Sequence, residues 1–299
     1  MKTQLDCVPC VLDQCINTLN ISKVSDAVKK KTIKMLIKRL EDMDFNLAPT
    51  ENSDLAYLVC KEATKISDPF KGLKKKYNKL ALKVYPSLKK MVDESSDPLY
   101  TAAKISVEGN IIDLGIRENN EKGLDFNQIL KDIREMPLAI NDIEKFRDDL
   151  KKIKNILYLG DNAGEIVFDK IFLNQLIKEG KNVVFSVKSG PIINDATIED
   201  AKEAKITELV KVIGTGSGRS GVVFSLVSEE FLKEFKKADL VISKGQANFE
   251  CLDEVDKNIY FILKAKCAQV ASRLKVGYLD VVFVKRRPKW GIRVNSQAF

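Results

Sequence analysis

Apolar residues recur at helical spacing from residue 11 to about residue 91. Val11, Leu12, Cys15, Ile16 and Leu19 form one stripe; Leu73, Tyr77, Leu80, Val84, Leu88 and Met91 form another. The first third is therefore predicted to be helical. Residues 93–98 read as a turn, followed by a short helix through Ala102 and Ala103 that ends near Gly109, with further helical patterns at 126–133 and 143–150. After Lys154 the pattern switches to short apolar runs separated by helix-length segments. Residues 156–159, 183–187, 209–213, 240–242, 259–263 and 281–284 read as strands, the signature of a mostly parallel α/β sheet. The chain divides accordingly into a helical region, 1–95, and an α/β portion, 96–299, without internal repeats.

Polar residues follow each of the first five strand runs. Asp161 and Asn162 follow the first and Asn194 and Asp195 the second. The glycine loop from Gly214 to Gly221 follows the third, Lys244, Gln246 and Asn248 the fourth, and Lys266 and Cys267 the fifth. In an open α/β sheet these carboxyl ends converge on one crevice, where ligands bind. Asp161, Asn162 and Asp195 supply an oxygen-only set suited to Mg²⁺ or Mn²⁺, and the helix start at Gly164 and Glu165 suits a phosphate. The competing readings are structural: Asn162 and Glu165 as an Asx turn with a capping box, and Asp195 as the cap of a helix beginning near Ala196.

Three further features carry chemistry. The glycine loop fits GxGxxG only from Gly216 and follows the third strand rather than the first, a weak match to a dinucleotide site, and Arg219 within it is either a substrate contact or a solvated loop arginine. Cys7 and Cys10 form a C-x-x-C at a helix start, where a thiol's pKa is lowered and soft-metal or redox chemistry is favoured; a closed zinc site would need Cys15, Cys60 or Cys267 brought close. Lys244 and Lys266, at strand ends, each suit phosphate neutralisation.

Composition narrows these options. The 299 residues contain no histidine, which removes His-based acid/base catalysis, Ser–His and Cys–His nucleophile pairs and His-ligated zinc. Net charge is +8, yet clusters such as Lys29–Lys31 and Lys74–Lys76 fall inside helical patterns, so the reading is a solvated lysine-rich surface rather than a nucleic-acid footprint. Six irregularly spaced cysteines, with no secretory leader and no membrane-length apolar run, suggest reduced thiols and a cytoplasmic location.

Taken in order, Cys7 and Cys10, Gly109, Asn110 and Asp113, Gly160 to Glu165, Asn194 and Asp195, Lys244 to Glu250, and Lys264 to Cys267 resemble the damage-control phosphatases, long known only as domain of unknown function eighty-nine. The resemblance spans essentially the whole chain. The C-x-x-C is similar to that of the subfamily shared by archaea and other microbes, and Leu263 to Lys266 stands where another branch carries Arg-Thr-x-Lys. It implies a three-layer α/β/α core with a helical N-terminal portion. It also implies a divalent cation (Mn²⁺, Mg²⁺, Ni²⁺ or Co²⁺) at Asp161, Asn162 and Asp195, and hydrolysis of small phosphomonoesters such as damaged or misplaced sugar phosphates. Asp161 and Lys266 are the expected catalytic residues. Gly164, Glu165, Lys244, Gln246, Asn248, Asn110 and Asp113 are expected around the phosphate, with water or Asp161 as the nucleophile. Two alternatives stand beside this reading: a nucleotide-dependent oxidoreductase using the glycine loop, and a thiol-metal binding module using Cys7 and Cys10.

Overall fold

The computed structural model describes residues 1–111 and 137–287, together with residues 131, 133 and 135. Helices α1 (Cys7–Ile21), α2 (Asp26–Leu40), α3 (Pro49–Thr64), α4 (Lys71–Asp93) and α5 (Pro98–Ile111) come first. Then follow β1 (Ile140–Asn141), α6 (Ile143–Leu150), β2 (Asn155–Leu159), α7 (Glu165–Lys178), β3 (Asn182–Val187), α8 (Ile198–Glu203) and β4 (Lys211–Gly214). The chain continues through α9 (Glu229–Lys237), β5 (Leu240–Lys244), α10 (Gln246–Leu252), β6 (Ile259–Lys264), α11 (Ala268–Leu274) and β7 (Val281–Lys285).

Among the described residues the strands form one seven-stranded sheet in the order β1-β7-β6-β5-β2-β3-β4. From β6 through β4 all neighbours are parallel, while β7 runs antiparallel to β6. Both faces are covered, which explains why the strands read as continuous apolar runs. On one face Ile156, Tyr158, Leu240, Ile242, Tyr260 and Phe283 pack with residues of α4 to α8. On the other, Leu157, Leu159, Val241, Phe261 and Val282 pack with α9, α10 and α11. The result is the expected three-layer α/β/α arrangement.

Helix α7 lies between the sheet and helices α4 and α5, and its residues from Glu165 to Leu173 are all buried. Gly109 permits the close α5–α7 crossing, because a Cβ there would lie 2.9 Å from Phe168 Cβ. Phe146 of α6 sits edge-on to Tyr260 and Phe283 at centroid distances of 5.1 and 5.5 Å, geometry that adds to simple area burial.

The helical region packs in two ways. Val11, Cys15 and Leu19 of α1 form their own small core with Leu36 of α2 and Ala56, Val59 and Cys60 of α3, whereas Ala81, Val84, Leu88 and Val92 of α4 join the core beneath the sheet. One expectation is corrected here. Lys74 is not solvated but 3% exposed, with Nζ 3.0 Å from Asp68 and 3.4 Å from Asp200. Helical periodicity gives a residue's face, and a long ammonium stem can bury on the inner face wherever carboxylates await it.

Candidate active site

In the sheet, β2 lies between β3 and β5. The chain leaves β2 for β3 and β4 on one side and returns to β5 on the other. The crevice at the carboxyl ends of β2 and β5 is therefore the topological switch point. Asp161 and Asn162 leave β2 into it. Residues 194–197 lie alongside as a short extended piece: Ala163 N–H donates to Asn194 O (2.9 Å), Ala196 N–H to Asp161 O (2.7 Å) and Lys188 N–H to Ala196 O (2.9 Å). Asn162 and Asp195 thus face each other in an antiparallel bridge. Backbone pairing, not chain proximity, brings Asp161, Asn162 and Asp195 together.

Asn162 Nδ2 donates to Asp161 Oδ2 and to Glu165 Oε2, both at 3.0 Å. Because only an amide nitrogen can donate to carboxylates, its oxygen is left for another partner. Asp195 Oδ2 is buried without a hydrogen bond, the nearest ammonium being Lys188 Nζ at 3.7 Å. Two buried carboxylates and an oriented amide oxygen form a hard, oxygen-only donor set that fits a divalent cation. Among the described residues no group of three or more Cys, Asp or Glu side chains is arranged to hold a metal.

The profile of the damage-control phosphatase ARMT1-like domain matches residues 3–282. The chain belongs to the damage-control phosphatase ARMT1-like family. An uncharacterised protein of Methanocaldococcus jannaschii is 38% identical over 295 residues, 96% of either chain. A damage-control phosphatase of Pyrococcus horikoshii is 36% identical over 280 residues, 92% of this chain and 95% of its own. The crystal structure of a DUF89 family protein from Pyrococcus horikoshii matches with a TM-score of 0.88 at 33% identity, covering 96% of this chain and 100% of that one. Membership makes this protein a metabolite damage-control phosphatase, a phosphoric monoester hydrolase of a family that works with a divalent metal ion and a small phosphorylated substrate.

In this family member Glu165 and Lys244 lie behind the crevice. Lys244 is fully buried, with Nζ 2.6 Å from Asp169 Oδ1, 2.8 Å from Glu165 Oε1 and 2.6 Å from Ser106 O. Ser106 and Tyr158 hydroxyls both donate to Asp169 at 2.7 Å. Burial alone would lower the Lys244 pKa, but Asp169 and Glu165 more than offset it and hold the ammonium charged. Its charge is thus committed to this internal network, which orients Glu165 and through it Asn162. Asn248 is also buried, donating to Lys244 O at 2.8 Å. Gln246 accepts from Lys266 N–H at 2.9 Å and donates to Glu250 at 2.9 Å. Lys266, half-buried, is the electrostatic neighbour of Asp161.

Burial pushes the Asp161 carboxyl well above its usual range, reinforced by Glu165 and Asp195 and opposed by Lys266 and Lys188. Asp195 is likewise pushed up to about 6 by burial, against the pull of Lys188. Proton affinity raised by burial and like charge marks a place where positive charge is wanted.

Several residues at the site carry weak sequence signals. Lys188, 2% exposed, donates to Gly221 O at 2.9 Å and to Asn248 Oδ1 at 3.5 Å; its one clue is its place directly after β3. Asn78 of α4 accepts the Gly164 N–H at 2.7 Å and donates to Asp200 at 3.0 Å. That N–H, expected to face phosphate, is therefore already engaged. Asp54 of α3, wholly buried, accepts the Ser220 N–H at 3.1 Å. Neither Asn78 nor Asp54 stands out in its helix.

The competing structural readings are partly present. Glu165 does reach back to the Asn162 N–H at 3.4 Å, but Asp195 caps nothing: Thr197 is the N-cap of α8 and pairs with Asp200. Ile193, in the turn before Asp195, has φ +43, a strained conformation for a β-branched residue. The glycine loop leads not into a helix but into a 3₁₀ turn (Phe224–Leu226), and its Gly216 and Ser220 N–H groups go to Ser189 and Asp54. The context of a dinucleotide fingerprint is missing. Burial raises both the Cys7 and Cys10 thiols rather than lowering them, with Cys267 and Glu250 in electrostatic reach. The side chain of Asn110 and the whole of Asp113 lie outside the described residues.

Proposed function

We propose that Asp161, Asn162 and Asp195 hold the divalent cation, Mn²⁺, Mg²⁺, Ni²⁺ or Co²⁺, and that the chain hydrolyses damaged or misplaced small sugar phosphates in the β2/β5 crevice. The observation that carries this reading is the buried Asp195 Oδ2, which has no hydrogen bond, beside an amide whose nitrogen is committed to two carboxylates so that its oxygen faces away from them. When bound, the cation supplies positive charge to phosphoryl oxygens. Lys266 neutralises a further phosphoryl oxygen as a point charge, and Lys188 adds positive potential from below. Glu165 and Lys244 act one layer back by fixing Asn162. Gln246 holds the backbone from which Lys266 projects.

Water is the nucleophile in this reading, attacking in line with the leaving oxygen. A carboxylate mechanism of the haloacid-dehalogenase kind places a general acid two residues after the nucleophile, and that position here is the buried Ala163. Metal-stripped protein assayed on a phosphomonoester panel, with each divalent ion restored in turn, tests the proposal. Activity should return only with an ion, and Asp161→Asn and Asp195→Asn should each lower it at least about a hundredfold. Full activity in chelator, or in either variant, would sink it.

A further inference from the structure

Cys15 and Cys60 face each other across the α1–α3 contact with their sulfurs 3.4 Å apart. Both are completely buried, and their surroundings are the apolar side chains of Val11, Leu19, Leu36, Ala56 and Val59. Both belong to the small α1–α3 core, apart from Cys7, Cys10 and Cys267, which lie in electrostatic reach of one another and of Glu250. A disulfide needs about 2.05 Å between sulfurs, so the two must approach by roughly 1.3 Å. The pair is also chemically asymmetric. Its shared hydrogen bond lowers the Cys15 pKa and raises that of Cys60.

We propose that Cys15 and Cys60 form a thiol–disulfide site that locks α1 to α3. The oxidant is a small disulfide of the glutathione class. The Cys15 thiolate attacks one of its sulfurs, giving a mixed disulfide and expelling a small thiolate, which takes the proton of Cys60. The Cys60 thiolate then attacks the Cys15 sulfur and expels the second small thiolate, which is protonated by the proton Cys15 released. Two protein thiols and one small disulfide become one protein disulfide and two small thiols, with two electrons passing to the oxidant. Because both sulfurs are shielded, the reaction runs through transient opening of the α1–α3 core, so the lock sets slowly and is slow to be reduced.

The consequence lies in what α3 carries. Asp54 grips the glycine loop, and Tyr57 packs with Phe70 and Ile192 under the turn that presents Asp195. A link spanning 45 residues restricts the unfolded chain and favours the closed helical region.

The test uses the full-length protein held with oxidised glutathione at increasing temperature, then unfolded, alkylated with iodoacetamide and digested without reductant. The Cys15 and Cys60 peptides should appear joined, lighter by two hydrogens and unalkylated. The thermal midpoint should exceed that of dithiothreitol-treated protein by roughly 5 °C or more. That difference should vanish in Cys15→Ser and Cys60→Ala and persist in Cys7→Ser/Cys10→Ser. Alkylation of both cysteines after oxidation, or a link confined to Cys7 and Cys10, overturns the proposal. The peptide map needs only the unsubstituted protein, so it decides even where a variant fails to fold.

Discussion

Gly245 lies directly beneath the carboxylate of Asp161. Its φ is +79, and a Cβ built there would collide with both carboxylate oxygens, the farther at 2.8 Å. The glycine after β5 is thus what lets the side chain after β2 occupy the switch point. Gly245→Ala should displace Asp161 and strain the backbone at once. A displacement of about 1 Å at a reacting centre costs on the order of a hundredfold, so kcat/KM should fall by at least that factor while circular dichroism stays native. Near-normal turnover would mean that Asp161 need not sit where it does.

Lys244 and Lys266 should separate in their effects. Lys244→Met leaves Asp169 and Glu165 buried without their cation, a loss of about 3–5 kcal/mol for a broken buried pair, visible as a large drop in thermal midpoint. Lys266→Met should leave the midpoint nearly unchanged and lower kcat/KM by roughly a hundredfold. Equal loss of stability in both variants would contradict this division of labour.

Asp54 should make stability depend on pH. Burial pushes its carboxyl up to about 7, more than Ser220 and Arg219 bring it down. Between the ordinary value near about 4 and about 7, the unfolded chain ionises while the folded one keeps its proton. The folded state binds more protons there, so stability falls as pH rises through that window. Asp54→Asn keeps an acceptor for Ser220 and removes the titration. Its thermal midpoint relative to wild type should climb from pH about 4 to about 7 and then level off; a flat difference would show that Asp54 is ionised in the fold.

Ile193 holds φ +43 two residues before Asp195, against Tyr57, Phe70 and Ile192. Glycine there relieves a left-handed strain of about 1–2 kcal/mol but loses packing and frees the unfolded chain. Net stability should change by no more than about 1 kcal/mol, while cation affinity, read by calorimetry, should weaken severalfold as the turn loosens. Unaltered affinity would show that the strained turn does not aim Asp195.

Hydrophobic period alone determined that the first third is helical and that strands follow Lys154, because burial repeats at 3.6 residues on a helix and persists along a strand covered on both faces. It also put Asp161, Asn194, Lys244 and Lys266 after strands, and parallel strands place such residues at one end of the sheet. What it could not tell was which way a side chain faces among neighbours distant in sequence. Lys74 and Lys244 read as solvated or ligand-facing until the fold surrounds them with Asp68, Asp200, Asp169 and Glu165. Asn78 and Asp54 carry no local signal, since their partners at Gly164 and Ser220, far away in sequence, are brought to them only by tertiary packing. The pairing of Asn162 with Asp195 is of the same kind: it is decided by backbone hydrogen bonds between two loops, and those exist only once β2 and β3 lie side by side.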